Sequence, residues 1–323
     1  MSSDLREQLA SYLSDAHSIE EQALAQLRSA PDMAGSEAFA TVLREHLAET
    51  EEHERLVRER LGEVGERPSW FKDLLMSIGG KGFVLFARSQ PDTPGKLAAH
   101  AYSYEHLELA SYELLARVAR TAADEQTEQL AQRIAEQERA MAERIEGLFD
   151  ETVQASLREL SDDDIGRLVI AYLTDAHALE EQSQELLERA VDMAGDDVLR
   201  AAYQAHLEQT QGQRQLVEQR LQALGESSSS IKDAAMKLGG INWSRFFAAH
   251  PDTPGKLLAF VYAFEHLEIA GYEQLLRVAR RAGDGETVLM VEQLLTQERI
   301  AADLLSGEWE TGARASLSEV GAS

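Results

Sequence analysis

Cysteine is absent from the 323 residues, which excludes disulfides, thiolate nucleophiles and zinc sites built on thiolates. Proline is scarce, at 6 residues, clusters of glycine and proline are few, and no alternation of apolar and polar residues lasts more than a few positions. An extensive β-sheet is therefore excluded, because strands need such alternation between turn residues. No apolar run approaches the ~20 residues of a membrane-spanning helix.

The N-terminal stretch, MSSDLREQLASYL, also lacks the basic and apolar regions of a signal peptide, so we expect a cytoplasmic protein. The charge is strongly acidic, at −26, and the two halves share it evenly. Such a surface repels nucleic acid and anionic lipid and attracts cations. The plain alternative is an acidic protein whose charges only solvate its helices.

The chain repeats itself at an offset of 160 residues without a gap. DAHSIEEQ at Asp15 aligns with DAHALEEQ at Asp175, and PDTPGKL occurs in both halves. EHLELASYE, from Glu105, returns as EHLEIAGYE from Glu265. Two like copies in one chain commonly pack as a pseudo-symmetric pair.

The apolar periodicity predicts four long helices in copy 1: helix A over 4–29, B over 36–61, C from Thr93, and D over 124–149. The long link between B and C fits a bundle in which the link crosses back along its length. That link contains Trp70 and Phe83, and the copy 2 link contains Trp243. These residues cover the bundle or touch a partner or membrane. The predicted fold is all-α, with two four-helix bundles, 1–155 and 161–323, packed as a pseudo-dimer.

Carboxylates interrupt the apolar stripes of these helices. Glu105 and Glu108 lie on the inner face of C, where an ionised carboxylate is costly unless it is paired or binds a metal. With a crossover link and about 1.5 Å of rise per residue, the polar core groups of all four helices fall roughly 15 to 21 Å below one end. They are therefore expected to meet in one layer.

Carboxylates and imidazole converging from four helices are typical of a site for two divalent transition metals. The candidate ligands are Glu20, His46, Glu49, His53, Glu105, Glu108 and Glu138 in copy 1, and Glu180, His206, Glu265, Glu268 and Glu298 in copy 2. Glu20 and Glu138 are predicted terminal ligands. Glu49, Glu105 and Glu108 are candidate bridges, and His46 is a nitrogen ligand or its supporting partner. His53 is a weaker candidate.

These motifs resemble the ferritin-like superfamily, and within it the YciE/YciF-type stress proteins. The features that carry the resemblance are Asp15 to Glu20, His46 to Thr50, Glu105 to Tyr112, and Glu138. The resemblance implies ferritin-like bundles, a dinuclear centre with two iron or manganese ions per bundle, and a link to stress responses. The implied reaction is Fe(II) oxidation by O2 or peroxide.

The sequence departs from the ferritin-like pattern in two ways. The usual Glu-x-x-His is missing from helices B and D, since Met141 stands three residues after Glu138. Copy 2 has Gln209 and Gln213 where copy 1 has Glu49 and His53, so weaker metal binding is expected there. The sequence leaves turnover and further oligomerisation open. The competing hypothesis is a non-catalytic stress or scaffold protein that uses the bundle pair for protein interaction.

Overall fold

The computed structural model describes residues 3–65, 93–227 and 253–322, and these form ten α-helices, one 3-10 helix and no strand. The all-α prediction is confirmed. Copy 1 contains α1 (Ser3–Leu27), the 3-10 helix (Ala30–Met33), α2 (Glu37–Val64), α3 (Thr93–Thr121), α4 (Glu125–Glu146) and α5 (Phe149–Leu157). Copy 2 contains α6 (Asp162–Met193), α7 (Asp197–Ala223), α8 (Thr253–Ala282), α9 (Gly285–Ser306) and α10 (Trp309–Glu319). The two links, with Trp70, Phe83 and Trp243, lie outside the described residues.

Side chains just before the helices satisfy their first backbone N–H groups. Ser36 accepts from the backbone N–H of Phe39 at 3.1 Å before α2, and Asp124 caps α4 in the same way. Ser161 forms a capping box at the start of α6. Helix α4 ends at Gly147, and the chain turns there into α5. Predicted helix D, over 124–149, thus ends three residues earlier than predicted, and a fifth helix follows that the four-helix prediction did not include.

Helices α2 and α3 begin at the same end of the molecule. Gly35, just before α2, has a φ of +69°, and a Cβ atom there would lie 2.4 Å from Cγ of Pro94 at the start of α3. Towards the other end of α2, Arg60 donates to Thr127 Oγ1 at 2.7 Å, beyond the end of α3. The two helices therefore run in the same direction, as a crossover link requires. The equivalent glycine of copy 2 packs in the same way.

The two copies pack through α3 and α8, which pair equivalent residues around a pseudo-two-fold axis. The rings of His106 and His266 stack with centroids 3.5 Å apart. Each ring also bonds through Nδ1 to a backbone carbonyl of its own helix. Pairing of a residue with its own counterpart is the signature of an isologous interface.

Reciprocal ion pairs join each copy to the other. Lys96 of α3 lies 3.1 Å from Asp175 of α6, and Lys256 of α8 lies 3.0 Å from Asp15 of α1. The apolar core likewise runs through both copies, because its clusters mix residues of the two halves. The division into units 1–155 and 161–323 stays a prediction. No helix in the described part of the chain is long and apolar enough to cross a membrane.

Candidate metal centre

Four helices of copy 1 bring carboxylates and imidazoles to one buried layer. Each of these side chains belongs to a residue that is at most 2% exposed. They are Glu20 on α1, His46 and His53 on α2, Glu105 and Glu108 on α3, and Glu138 on α4. The helix positions predicted a common depth for these groups, and the structure brings all six together.

The first group of potential ligands lies between α2, α3 and α4. His46, Glu105, Glu108 and Glu138 each offer an atom, and these atoms lie within 4.8 Å of one another. The Nε2 atom of His46 is 2.9 Å from Oε1 of Glu105. One imidazole nitrogen and three carboxylates form a donor set suited to iron or manganese.

The second group lies between α1, α2 and α4 and shares Glu138 with the first. Glu20, His53 and Glu138 also offer atoms within 4.8 Å of one another. The Nδ1 atom of His53 is 2.8 Å from Oε1 of Glu138 and 3.8 Å from Oε1 of Glu20. Its Nε2 atom faces Oε1 of Gln137 at 3.2 Å. In the tautomer that carries its proton on Nε2, His53 donates to this amide oxygen and Nδ1 is free to bind a cation.

Burial and mutual repulsion oppose the ionisation of these carboxyl groups. Burial raises the pKa of Glu20 to about 8, and the charge of Glu138 adds to the rise. Burial also raises the pKa of Glu105 to about 7, although His46 opposes the rise. The pKa of Glu108 is raised well above its usual range by burial and then by the neighbouring carboxylates. A bound cation would reverse this balance.

The charged form is favoured, in contrast, in the two imidazoles. Burial alone would lower the pKa of His46, but Glu105 raises it well above the ordinary value. Burial likewise opposes the charge of His53, and Glu138 outweighs burial and raises the pKa. Imidazoles and carboxyl groups of the layer therefore both hold their protons more tightly than exposed side chains do.

Glu49 occupies a different position from the other candidates. Its side chain is 41% exposed, with one oxygen 3.9 Å from Nδ1 of His46 and the other 3.8 Å from Nη1 of Arg144. The inner face of α2 runs through His46, Thr50 and His53, which places Glu49 at the edge. The structure therefore does not bring Glu49 to a bridging position. It lies instead behind His46, on the side of Nδ1 and beyond hydrogen-bonding distance of it.

Tyrosine hydroxyls support the carboxylates on α1 and α6. Tyr112 donates a short hydrogen bond to Oε1 of Glu20. Tyr272 donates to Oε1 of Glu180 at 2.5 Å. Both tyrosines are at most 2% exposed, so each hydroxyl is fixed by this contact.

The chemistry of the copy 1 donor set suits metal binding. Both oxygens of Glu108 and one oxygen each of Glu20 and Glu105 lack a hydrogen-bond partner among the described residues. Buried oxygens of this kind are costly unless a cation or proton meets them. The two groups formed by His46, His53, Glu20, Glu105, Glu108 and Glu138 could therefore hold metal.

Comparison with known proteins places the chain in a family. The model of a family described as a domain of unknown function, DUF892, matches residues 4–158 and again residues 166–318. The chain belongs to the DUF892 family. The two matches agree with the tandem duplication read from the sequence, so this is a chain with two DUF892 copies.

The DUF892 chain is also similar to Protein YciF of Escherichia coli (strain K12). The two are 27% identical over 138 residues, which is 40% of this chain and 81% of YciF. The suspected likeness to YciF-type proteins is confirmed. No solved structure matches the chain significantly.

The second DUF892 copy retains part of this arrangement. His206, Glu265 and Glu298 offer atoms within 4.8 Å of one another, and Nε2 of His206 is 2.6 Å from Oε1 of Glu265. Glu180 and Glu268 are buried nearby. Burial raises the pKa of Glu180 to about 8, and burial raises that of Glu268 well above its usual range. All five copy 2 candidates are thus buried, and three of them converge.

Sequence reasoning missed the contact of Gln137 with His53, and it did not foresee the positions of Glu138 and His53 relative to the other candidates. Gln137 directly precedes Glu138 in the repeated QER motif, and this repetition was the available signal. Glu138 had been assigned a terminal role, yet it belongs to both groups, and His53 is as well placed as His46. Periodicity gives the face of a helix, but it does not give the distance between side chains of different helices.

Proposed function

We propose that the first DUF892 copy holds two divalent iron or manganese ions and oxidises Fe(II) with O2 or peroxide. The observation that carries the proposal is the position of Glu138, whose carboxylate belongs to both groups of ligand atoms. A carboxylate has two oxygens, so a single residue can contact both ions. The resemblance to YciF-type stress proteins supports a protective role.

The residues divide into two ligand sets. Glu105, Glu108 and His46 serve the first position, Glu20 and His53 serve the second, and Glu138 serves both. Gln137 orients the imidazole of His53 through Nε2, and Glu49 lies on the outer side of His46, 3.9 Å from Nδ1. Tyr112 orients Glu20. When bound, two redox-active ions would each supply one electron to the oxidant.

A small cavity of about 30 Å³ lies beside the first position. It is lined by His46 and Glu105 at the centre, by Leu43 and Ala101 on its apolar walls, and by Gln26 and His100 on its polar side. The last two bond to each other at 2.7 Å. Its size suits a molecule as small as O2 or peroxide, so this is the side from which we expect the oxidant to approach.

Metal counting tests the binding part of the proposal. Metal-free protein would be loaded with Mn²⁺ and analysed by native mass spectrometry. We expect Glu138→Ala to remove both copy 1 ions, because each position loses a ligand. Glu136→Ala, an exposed carboxylate on the same helix, is the matched control and should leave the count unchanged. Equal counts in the two variants would contradict the shared role of Glu138.

Oxidation is tested separately. Anaerobic protein loaded with Fe²⁺ would be mixed with O2 or peroxide, and the appearance of Fe(III) followed by absorbance. Oxidation faster than in buffer, lost in Glu138→Ala and kept in Glu136→Ala, would support the reaction. Binding without accelerated oxidation would restrict the function to metal binding. A chain that binds no metal would leave the scaffold hypothesis.

A further inference from the structure

The two copies differ at the second metal position. In copy 1 two groups of ligand atoms overlap at Glu138, whereas the described part of copy 2 has one group, His206, Glu265 and Glu298. Both oxygens of Glu298 are buried without a hydrogen-bond partner among the described residues, and so is one oxygen of Glu268. The first position is therefore present in both copies. The difference lies in what surrounds Glu180.

Gln213 stands where copy 1 has His53. Its side chain is 1% exposed, and neither its amide nitrogen nor its amide oxygen has a hydrogen-bond partner among the described residues. The substitution keeps a buried polar group pointing into the layer but removes the imidazole nitrogen. A neutral amide is a much weaker ligand for iron or manganese.

The next residue reverses a charge. In copy 1 Glu54 pairs with His17 at 3.0 Å and with Arg58 at 3.1 Å. Copy 2 has Arg214 and Glu218 at the positions of Glu54 and Arg58, so the order of the pair is inverted. A guanidinium, which always carries its charge, therefore follows Gln213 where copy 1 has a carboxylate.

Arg214 lies on the same helix as Gln213 and directly follows it. Its Nε atom is buried and has no hydrogen-bond partner among the described residues. A fixed positive charge at this part of α7 disfavours a second cation.

We propose that copy 2 is a mononuclear centre, in which His206, Glu265 and Glu298 hold one divalent ion, because Gln213 replaces the imidazole of the second position and Arg214 adds a positive charge next to Gln213 in the chain. The inference rests on the proposed function, since it assumes that copy 1 binds two ions. The whole chain then takes three ions. The two centres are chemically distinct, and the paired-metal chemistry is confined to copy 1.

Native mass spectrometry with Mn²⁺ tests the stoichiometry. We expect three ions in the unaltered chain, one after Glu138→Ala and two after Glu298→Ala. The double variant Gln213→His/Arg214→Glu restores the copy 1 residues and should bind four. The reverse exchange, His53→Gln/Glu54→Arg, should bind two. Circular dichroism would establish that each variant is folded.

Electron paramagnetic resonance of Mn²⁺ gives a second measurement that needs no variant. The loaded chain should show a coupled pair together with an isolated ion. Four ions in the unaltered chain, or a restored variant that stays at three, would overturn the inference and leave the proposed function standing. A total of two ions in the unaltered chain, both lost in Glu138→Ala, would also overturn the inference. If no Mn²⁺ binds, the proposed function itself fails.

Discussion

In the metal-free protein, the acidic residues of the copy 1 centre hold protons that the unfolded chain would release. Burial keeps the pKa of Glu20 near 8, above the value of 4.5 for an exposed glutamate. Between these two pH values the unfolded state binds fewer protons than the folded state, so the free energy of unfolding falls as pH rises. His46 and His53 act in the same direction, because their pKa values are raised as well. Their stabilisation is present at low pH and is lost as pH rises through the folded-state pKa.

We therefore predict that the metal-free protein is less stable at pH 8 than at pH 5. Urea denaturation at the two pH values would measure the difference. In Glu20→Gln the side chain cannot ionise, so the loss of stability between pH 5 and pH 8 should be smaller. Glu21→Gln, which changes an exposed neighbour, should keep the full loss. An equal pH dependence in both variants would argue against Glu20 as a source of the loss of stability between pH 5 and pH 8.

A second prediction at this scale concerns Glu49. If Glu49 moves from 3.9 Å to hydrogen-bonding distance of Nδ1 when His46 binds a metal, Glu49→Gln should weaken Mn²⁺ binding by about 10- to 100-fold. The number of bound ions at saturation should not change. Calorimetric titration would measure the affinity, with Glu108→Ala as the comparison that removes a ligand. Loss of an entire ion in Glu49→Gln would show that Glu49 is itself a ligand.

At the scale of the helix, the phase of α2 explains what the sequence could and could not predict. Its buried side is spaced by four, three and four residues, through His46, Thr50, His53 and Val57. The apolar pattern located this face to within one position, which was enough for both histidines but placed Glu49 inside. Depth along the axis was easier to predict, because it depends only on the rise per residue and the crossover. Which carboxylate lies between two positions depends on side-chain distances across helices.

The cavity beside the first position yields a prediction that compares equivalent helices. Copy 2 has the larger residues Tyr203 and Val261 where the cavity of copy 1 is lined by Leu43 and Ala101. Introducing these into copy 1, as Leu43→Tyr/Ala101→Val, should slow Fe(II) oxidation. We expect a stability cost of about 1 to 3 kcal/mol from overpacking.

Two measurements distinguish blocked access of the oxidant from damage to the metal site in that variant. The number of bound Mn²⁺ ions should stay unchanged, because none of the proposed ligands is substituted. Fe(II) oxidation, followed by stopped-flow absorbance, should become slower while the variant still binds Mn²⁺. An unchanged rate in a folded variant would mean that the oxidant arrives by another route.

At the scale of the whole molecule, the interface between the two copies contains contacts that the sequence repeat could not predict. The offset of 160 residues predicted two packed copies, and the lysine of PDTPGKL and the aspartate of the DAH motif recur in both. Nothing in one copy alone showed that Lys96 would pair with Asp175 of the other. A repeated sequence is equally compatible with contacts inside a copy and contacts between copies, and only the packing of α3 on α8 decides between them.

The two reciprocal ion pairs also provide a matched experiment, because they repeat one geometry at different burial. The side chains of Lys256 and Asp15 are 6% and 5% exposed, whereas those of Lys96 and Asp175 are 20% and 33% exposed. Removing one partner of a buried pair leaves an uncompensated charge, so Lys256→Ala should lower the free energy of unfolding by about 3 kcal/mol. Lys96→Ala removes a solvated pair and should cost about 1 kcal/mol or less. Urea denaturation of the two variants would measure both values. Equal losses would mean that the pairs are equally solvated in solution and that Asp15 does not depend on Lys256.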